Sequence, residues 1–310
     1  MIYSFREAFG EALAVLGESY KNLVVIDTDL SKSTKTIYFM RRFPDRFIQL
    51  GISEQDAVGT ASGLAIGGKI PLLATYSMFV LRAWEQIRNT VARDNLNVKI
   101  VGTHSGLSDY KDGPSHQCFE DIALMRILPN FTVVSPSDTT STKSLLRQIL
   151  SMRGPVYMRL GRDDSIKLYD DEDEIVLGKA NILVEGSDIS LVSHGNMMGY
   201  TLKAAEMLRR EGYSVGVIDM HTIKPLDIEI LSRKNISATP IFVVEDHSIY
   251  GGLGSAIAEY LSMFRHKYIF RLGIEDRFGS GSRDYHTLLR YMGFTPDKIV
   301  DRIKVFLNGI

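Results

Sequence analysis

The run IPLLATYSMFVLRAWEQIRNTVARDNLNVKIVG, residues 70–102, decides how the rest of the chain is read. Its ends, 70–74 and 98–102, are short and largely apolar, and a longer amphipathic stretch lies between them. A handful of consecutive apolar residues suits a buried strand and the longer patterned stretch suits a covering helix, so the run predicts strand, helix, strand. The same rhythm spreads in both directions. Residues 23–26, 131–134 and 156–159 are further short apolar runs, and 47–50 leads through a polar turn into a helix of small residues over 57–68. Such alternation predicts an α/β fold in which a largely parallel sheet is covered by helices.

At 310 residues the chain has room for about two domains of roughly 150 residues each. Residues 168–186, which include the acidic run Asp170, Asp171, Glu172, Asp173 and Glu174, are weakly patterned, and the strand–helix rhythm restarts behind them. They are read as a linker, with a solvated loop inside one domain as the alternative. The expected organisation is a first domain over 1–167, the linker over 168–186 and a smaller α/β domain over 187–310. In the latter, strands are expected at 189–192, 215–218, 241–244 and 268–271, and helices at 198–210, near Asp227 and at 253–260. A terminal helix opens at Thr295-Pro296-Asp297, where proline suits the first turn.

Charge narrows the partners. The 36 Lys and Arg balance 37 Asp and Glu, for a net charge of -1, so no long-range field exists to hold nucleic acid or an acidic membrane surface. No apolar run reaches the roughly 18 to 20 residues of a membrane span. The single cysteine, Cys118, excludes an internal disulfide framework and a multi-cysteine metal site. With no signal peptide read at the N-terminus, a cytoplasmic location is expected.

Four groups could carry chemistry. In Gly51-Ile-Ser-Glu54-Gln-Asp-Ala-Val-Gly59 a carboxylate sits in the first turn of a helix, where simple complementarity to the helix dipole is the bland reading. Buried among small residues, the same Glu54 would have a raised pKa and could share a proton with a ligand nitrogen. The loop 103–117, THSGLSDYKDGPSHQ, follows a strand, and carboxyl ends of parallel strands are where open α/β sheets place ligands. His104, Asp112 and His116 could serve there as acid, base or sugar-hydroxyl ligands, or the loop could be ordinary turn chemistry around Asp112-Gly113-Pro114. Tyr76 and Phe79, three apart, could be core or could stack a heteroaromatic ring. Arg6, Arg159 and Arg162, beside the hydroxyls of Ser31, Ser33 and Thr34, could hold phosphate or could simply be surface residues. No Gly-Asp-Gly with a downstream Asn, no Gly-rich phosphate loop and no Gly-x-Gly-x-x-Gly is present, so nothing visible would hold a diphosphate or its magnesium.

In combination these motifs resemble the C-terminal half of a transketolase, the pyrimidine-binding domain followed by the C-terminal domain, across essentially the whole chain. Gly-Ile-Ser-Glu54-Gln is similar to the segment that carries the family's cofactor glutamate. His104 through Asp112-Gly-Pro-Ser-His116-Gln is similar to its substrate loop. Thr222-Ile-Lys-Pro-Leu-Asp227, Glu245-Asp-His and Gly251-Gly-x-Gly resemble its last domain. The resemblance implies a subunit of a split enzyme, active with an N-terminal subunit that carries the diphosphate-binding domain and its magnesium or calcium ion, and assembled as a heterotetramer. This chain would hold no metal. It further implies that Glu54 bonds the aminopyrimidine of thiamine diphosphate, that Tyr76 and Phe79 stack the ring, and that Asp29 lies close to it. His104, Asp112 and His116 would bind sugar hydroxyls, with His104 and His116 assisting proton transfers, and Arg6, Ser33 and Arg162 would hold the phosphate end. Two-carbon ketol transfer between sugar phosphates, as in the pentose phosphate pathway, is the expected activity. Arg82 stands where many transketolases have an aromatic residue, and Arg82-Ala-Trp-Glu-Gln is similar to deoxyxylulose phosphate synthase. A non-catalytic subunit that completes a partner is the remaining alternative.

Overall fold

The structure, a computed structural model of the chain, describes residues 3–162, 164–233, 236, 238–264 and 268–307. Its main sheet contains β2 (Leu23–Asp27), β3 (Phe47–Gln49), β4 (Ile70–Tyr76), β5 (Lys99–Thr103), β6 (Thr132–Val134) and β7 (Val156–Arg159). These six strands are mutually parallel and lie in the order β6-β7-β5-β4-β2-β3. Every residue of β2, β5 and β7 is buried, as expected of strands covered on both faces. On one face the helices Phe5–Ser19 and Thr139–Ser151 pack Phe5, Phe9 and Leu13 against Leu145, Leu146 and Ile149. The second helix starts sharply because Asp138 Oδ1 accepts from the Ser141 amide at 2.7 Å while Ser141 Oγ accepts from the Asp138 amide at 2.9 Å, a reciprocal cap. The other face is covered by Glu54–Ile66 and by 84–92, through Ala57, Val58, Ala61, Ile87 and Val91.

The stretch 70–102 has the two expected strands, yet its middle is not one regular helix. A helical turn at Ser77–Val80 tightens at Leu81–Ala83, resumes at Trp84–Gln86 and widens at Ile87–Ala92. Within the wide part Thr90 Oγ1 donates to the Gln86 carbonyl at 2.6 Å and lies 2.9 Å from Ser62 Oγ, so side-chain hydroxyls compete with the backbone ladder there.

The second sheet runs β14 (Ile269–Ile274), β13 (Ile241–Ser248), β10 (Ile189–Ser193), β11 (Val215–Asp219) and β9 (Asn181–Val184), with β9 alone antiparallel. Here the reading of 168–186 as linker needs correction. Its acidic run is exposed, but Tyr169 and Ile175 are buried in the first unit's core, and β9 is an edge strand of the second sheet. Four half-buried residues on an edge give too weak an alternation to be read from sequence. The units also interlock: β12 (Thr222–Lys224) leaves the second unit and pairs antiparallel with β6 at the edge of the first sheet. Lys224 Nζ fixes it there by donating to the Arg126 carbonyl at 3.0 Å. The helix near Asp227 is only Ile228–Leu231, whereas Met198–Arg210, Leu253–Leu261 and Pro296–Leu307 follow the expected pattern. Among the described residues no helix is long and apolar enough to cross a membrane.

Candidate active site

Most candidate residues follow the carboxyl ends of strands in the first sheet; Arg6 comes from the helix Phe5–Ser19 and Ser33 from the turn after β2. The strand order reverses between β2 and β4, the place where an open α/β sheet opens a crevice beyond its carboxyl ends. Thr28, just past β2, bonds Thr75 near the end of β4 through their hydroxyls at 2.9 Å, holding the two ends together. Around them stand Asp29 after β2, Glu54 after β3, Tyr76 and Phe79 at the end of β4, His104 after β5 and Arg162 after β7.

His104 is the centre of the best-formed part. It takes a left-handed backbone (φ 57°), uncommon for a residue with a side chain, and this turns its ring onto Tyr76 with centroids 3.7 Å apart. Phe79 stacks on Tyr76 at 5.2 Å, and His116 meets the edge of Phe79 at 5.4 Å, so four rings from two segments, 76–79 and 104–116, form one cluster. Arg6 Nη1 lies 3.5 Å from His104 Nε2 and donates to the Ser33 carbonyl at 2.8 Å; its Nε donates to the Arg162 carbonyl. Because a guanidinium can only donate, Nε2 is the acceptor and the ring proton sits on Nδ1, 2.9 Å from Thr103 Oγ1. Burial, then Arg6, Arg162 and His116, push His104 down to about 2, so the ring is neutral over the physiological range.

Sequence reasoning did not single out Asp109. It is buried, binds Arg162 Nη1 at 2.9 Å, and is pushed up to about 6 by burial and then by the neighbouring Asp112 carboxylate. An acidic residue three positions before Asp112 on a turn-rich loop was the available signal. Asp112 itself is exposed, and His116 is half-buried with Nδ1 2.9 Å from Ser115 Oγ.

Glu54 differs from all of these. It is the first residue of its helix and only 5% exposed. Among the described residues its carboxylate has no hydrogen-bond or ion-pair partner. The side chain is otherwise enclosed while its carboxylate oxygens reach the surface, so the arrangement leaves an acceptor open to a ligand's donor. Asp29 is exposed nearby in a left-handed turn (φ 67°), its amide donating to Gln49 Oε1 at 3.0 Å.

Arg159 does not join Arg6 and Arg162. It is 1% exposed and sits between Asp121 (Nε to Oδ2, 2.9 Å) and Asp246 (Nη1 to Oδ1, 2.8 Å). Neither a phosphate ligand nor a surface residue, it ties the two units together. Among the described residues no group of three or more His, Cys, Asp or Glu could hold a metal ion.

This is a two-unit α/β protein with a lone carboxylate, an aromatic cluster and an arginine-rich end gathered at one sheet edge. The chain belongs to the transketolase family: residues 3–166 match its pyrimidine binding domain and 178–299 its C-terminal domain. It is 46% identical over 303 residues to a protein of Methanocaldococcus jannaschii provisionally described as a transketolase C-terminal section, covering 96% of this chain and 94% of that one. It is 35% identical to a 6-deoxy-6-sulfo-D-fructose transketolase subunit of Clostridium sp. (strain MSTE9), covering 95% and 92%. It is 34% identical to the 1-deoxy-D-xylulose-5-phosphate synthase of Carboxydothermus hydrogenoformans, covering 99% of this chain and 49% of that enzyme. A solved structure titled split gene transketolase, inactive beta4 tetramer, is similar with a TM-score of 0.89 at 41% identity, covering 97% of both chains.

Proposed function

We propose that this chain is the pyrimidine-side subunit of a two-chain transketolase in the cytoplasm. Its partner supplies the diphosphate-binding domain with its magnesium or calcium ion, and the pair moves a two-carbon ketol unit from a ketose phosphate to an aldose phosphate. The carrying observation is Glu54, an enclosed side chain whose carboxylate has no partner among the described residues, following a strand of the same sheet whose carboxyl end carries the ring cluster. These residues fit thiamine diphosphate: Glu54 would bond the aminopyrimidine nitrogen, Tyr76 and Phe79 would stack its ring, and Asp29 would border it. When bound, that cofactor supplies the nucleophile and electron sink.

The chain's own residues supply orientation and proton handling. Glu54 holds a proton at the pyrimidine nitrogen. Neutral His104, with Nδ1–H facing Thr103, would exchange Arg6 for a sugar hydroxyl at Nε2 without adding charge, and His116 and Asp112 serve other hydroxyls. Arg6, Ser33 and Arg162 form the anion-binding end, with Asp109 holding Arg162 in place. Guanidinium groups suit phosphate through paired donors. The covered half of single-chain relatives and the solved tetramer described as inactive support a need for a second polypeptide. Self-association is supported by the face of Glu54–Ile66, where Gly59 and Gly63 have open space beyond Cα and Ile52 and Ile66 are exposed.

The test is a coupled assay with ribose 5-phosphate, xylulose 5-phosphate, thiamine diphosphate and magnesium, on this chain alone and after adding the partner. Turnover only with both chains is expected. Turnover of pyruvate with glyceraldehyde 3-phosphate, and none of xylulose 5-phosphate, would replace ketol transfer by the synthase reaction.

A further inference from the structure

Among the described residues the second unit contributes no ring or arginine to the proposed site, yet it reaches that site by two routes that start at one residue, Asp246. The first route is direct. Gly106, two residues after His104, has φ 59°, and a Cβ there would stand 2.0 Å from Asp246 Oδ2, so the backbone behind His104 rests against this carboxylate. The second route runs through side chains. Asp246 takes Arg159 Nη1 on Oδ1 at 2.8 Å and Nη2 on its carbonyl at 3.1 Å. Arg159 Nε donates to Asp121 Oδ2 at 2.9 Å, and the Tyr157 hydroxyl bridges that same oxygen (2.8 Å) and Ser77 Oγ (3.0 Å). Ser77 stands between Tyr76 and Phe79 in the chain, one residue from the first ring and two from the second.

Two further facts mark this path as built. Ser77, Asp121, Tyr157, Arg159 and Asp246 are each at most 1% exposed. Gly102, on β5 between them, leaves the room they need: a Cβ there would lie 2.3 Å from the Tyr157 hydroxyl and 2.7 Å from Ser77 Oγ. Stability alone is a weak reason for such a set, because buried ion pairs seldom return more than their desolvation costs.

We propose that Asp246 is a positioning residue: through Gly106 it holds His104, and through Arg159, Asp121, Tyr157 and Ser77 it holds the Tyr76–Phe79 ring pair. The C-terminal unit thereby sets the geometry of a site to which, among its described residues, it lends no ring or arginine. This rests on the thiamine-site reading of those rings.

The experiment uses the full chain with Asp246→Ala, Tyr157→Phe and both together. Backbone hydrogen exchange is followed at 76–80 and 103–108, and kcat and KM are measured after reconstitution with the partner. Asp246→Ala speeds exchange in both segments, whereas Tyr157→Phe does so only at 76–80. The changes fall mainly on kcat, and the double variant departs from the product of the singles by a factor of about three or more, as coupled neighbours do. Asp246→Asn, which keeps the shape and an acceptor for Arg159, restores most of the protection and rate, and stands in should the alanine variant not fold. Multiplicative effects, or faster exchange spread through the second sheet with 76–80 unchanged, overturn the proposal. A wild-type complex without thiamine-dependent turnover would instead remove the functional reading, and the exchange pattern would still decide whether Asp246 braces the two segments.

Discussion

Two parts of this molecule carry enclosed charge, and they differ in how many partners hold it: even at the seam Asp121 Oδ1 has no hydrogen-bond partner, but its other oxygen has two. At the seam between the units, Arg159 has two carboxylates, Tyr157 bridges one of them to Ser77, and His247 donates Nδ1–H to the Ser248 carbonyl at 2.8 Å while Nε2 accepts from the Ala123 amide at 3.3 Å. At the sheet edge, Glu54 is nearly as buried and has no partner among the described residues. A charge held by several partners fixes geometry; an enclosed side chain whose carboxylate has none is open to a ligand. On the proposed reading the same residue classes serve as scaffold at one position and chemistry at the other.

The sharpest way to break this contrast is Glu54→Gln. The reconstituted complex should lose at least about 100-fold in rate, the scale of a lost proton-handling group, while the chain's melting temperature stays put. Full activity with an unchanged melt would strip Glu54 of its assignment. Next is Arg159→Met at the seam, where two carboxylates are left without their cation. A loss of about 3–5 kcal/mol in urea unfolding is expected; a loss below about 1 kcal/mol, the range of exposed pairs, would mean the seam is not a matched network.

The smallest effect tests His104 through pH. Its folded pKa lies far below the ordinary value of about 6.5, so below that pH the unfolded chain binds a proton the folded chain refuses. Stability from this group is thus intact above about pH 6.5 and declines as pH falls toward about 2. Between about pH 7.5 and pH 5 the urea midpoint of the wild type should fall more than that of His104→Asn, a side chain that tolerates the left-handed backbone. Equal falls would place His104 in contact with solvent or a counter-charge.

The rhythm of apolar runs was enough to place the parallel strands and most helices, because a strand buried on both faces must be apolar throughout and leaves that mark in any context. β9 and β12 escaped it. Both are short edge strands whose pairing depends on what lies beside them, and Thr222 meets Val134 across a distance of 88 residues that no local pattern encodes. The candidate site divides the same way. His104, His116, Tyr76, Phe79 and Glu54 stand in motifs legible from residue type and spacing, so the sequence by itself determined the family and pointed to the sheet edge proposed to carry the chemistry. Burial and partnership were decided only by the tertiary structure: it paired Asp109 with Arg162, gave Arg159 to Asp121 and Asp246, and left Glu54 without a partner. The physical reason is that a charge takes its meaning from its solvent exposure and its nearest opposite charge, and both are properties of distant segments brought together.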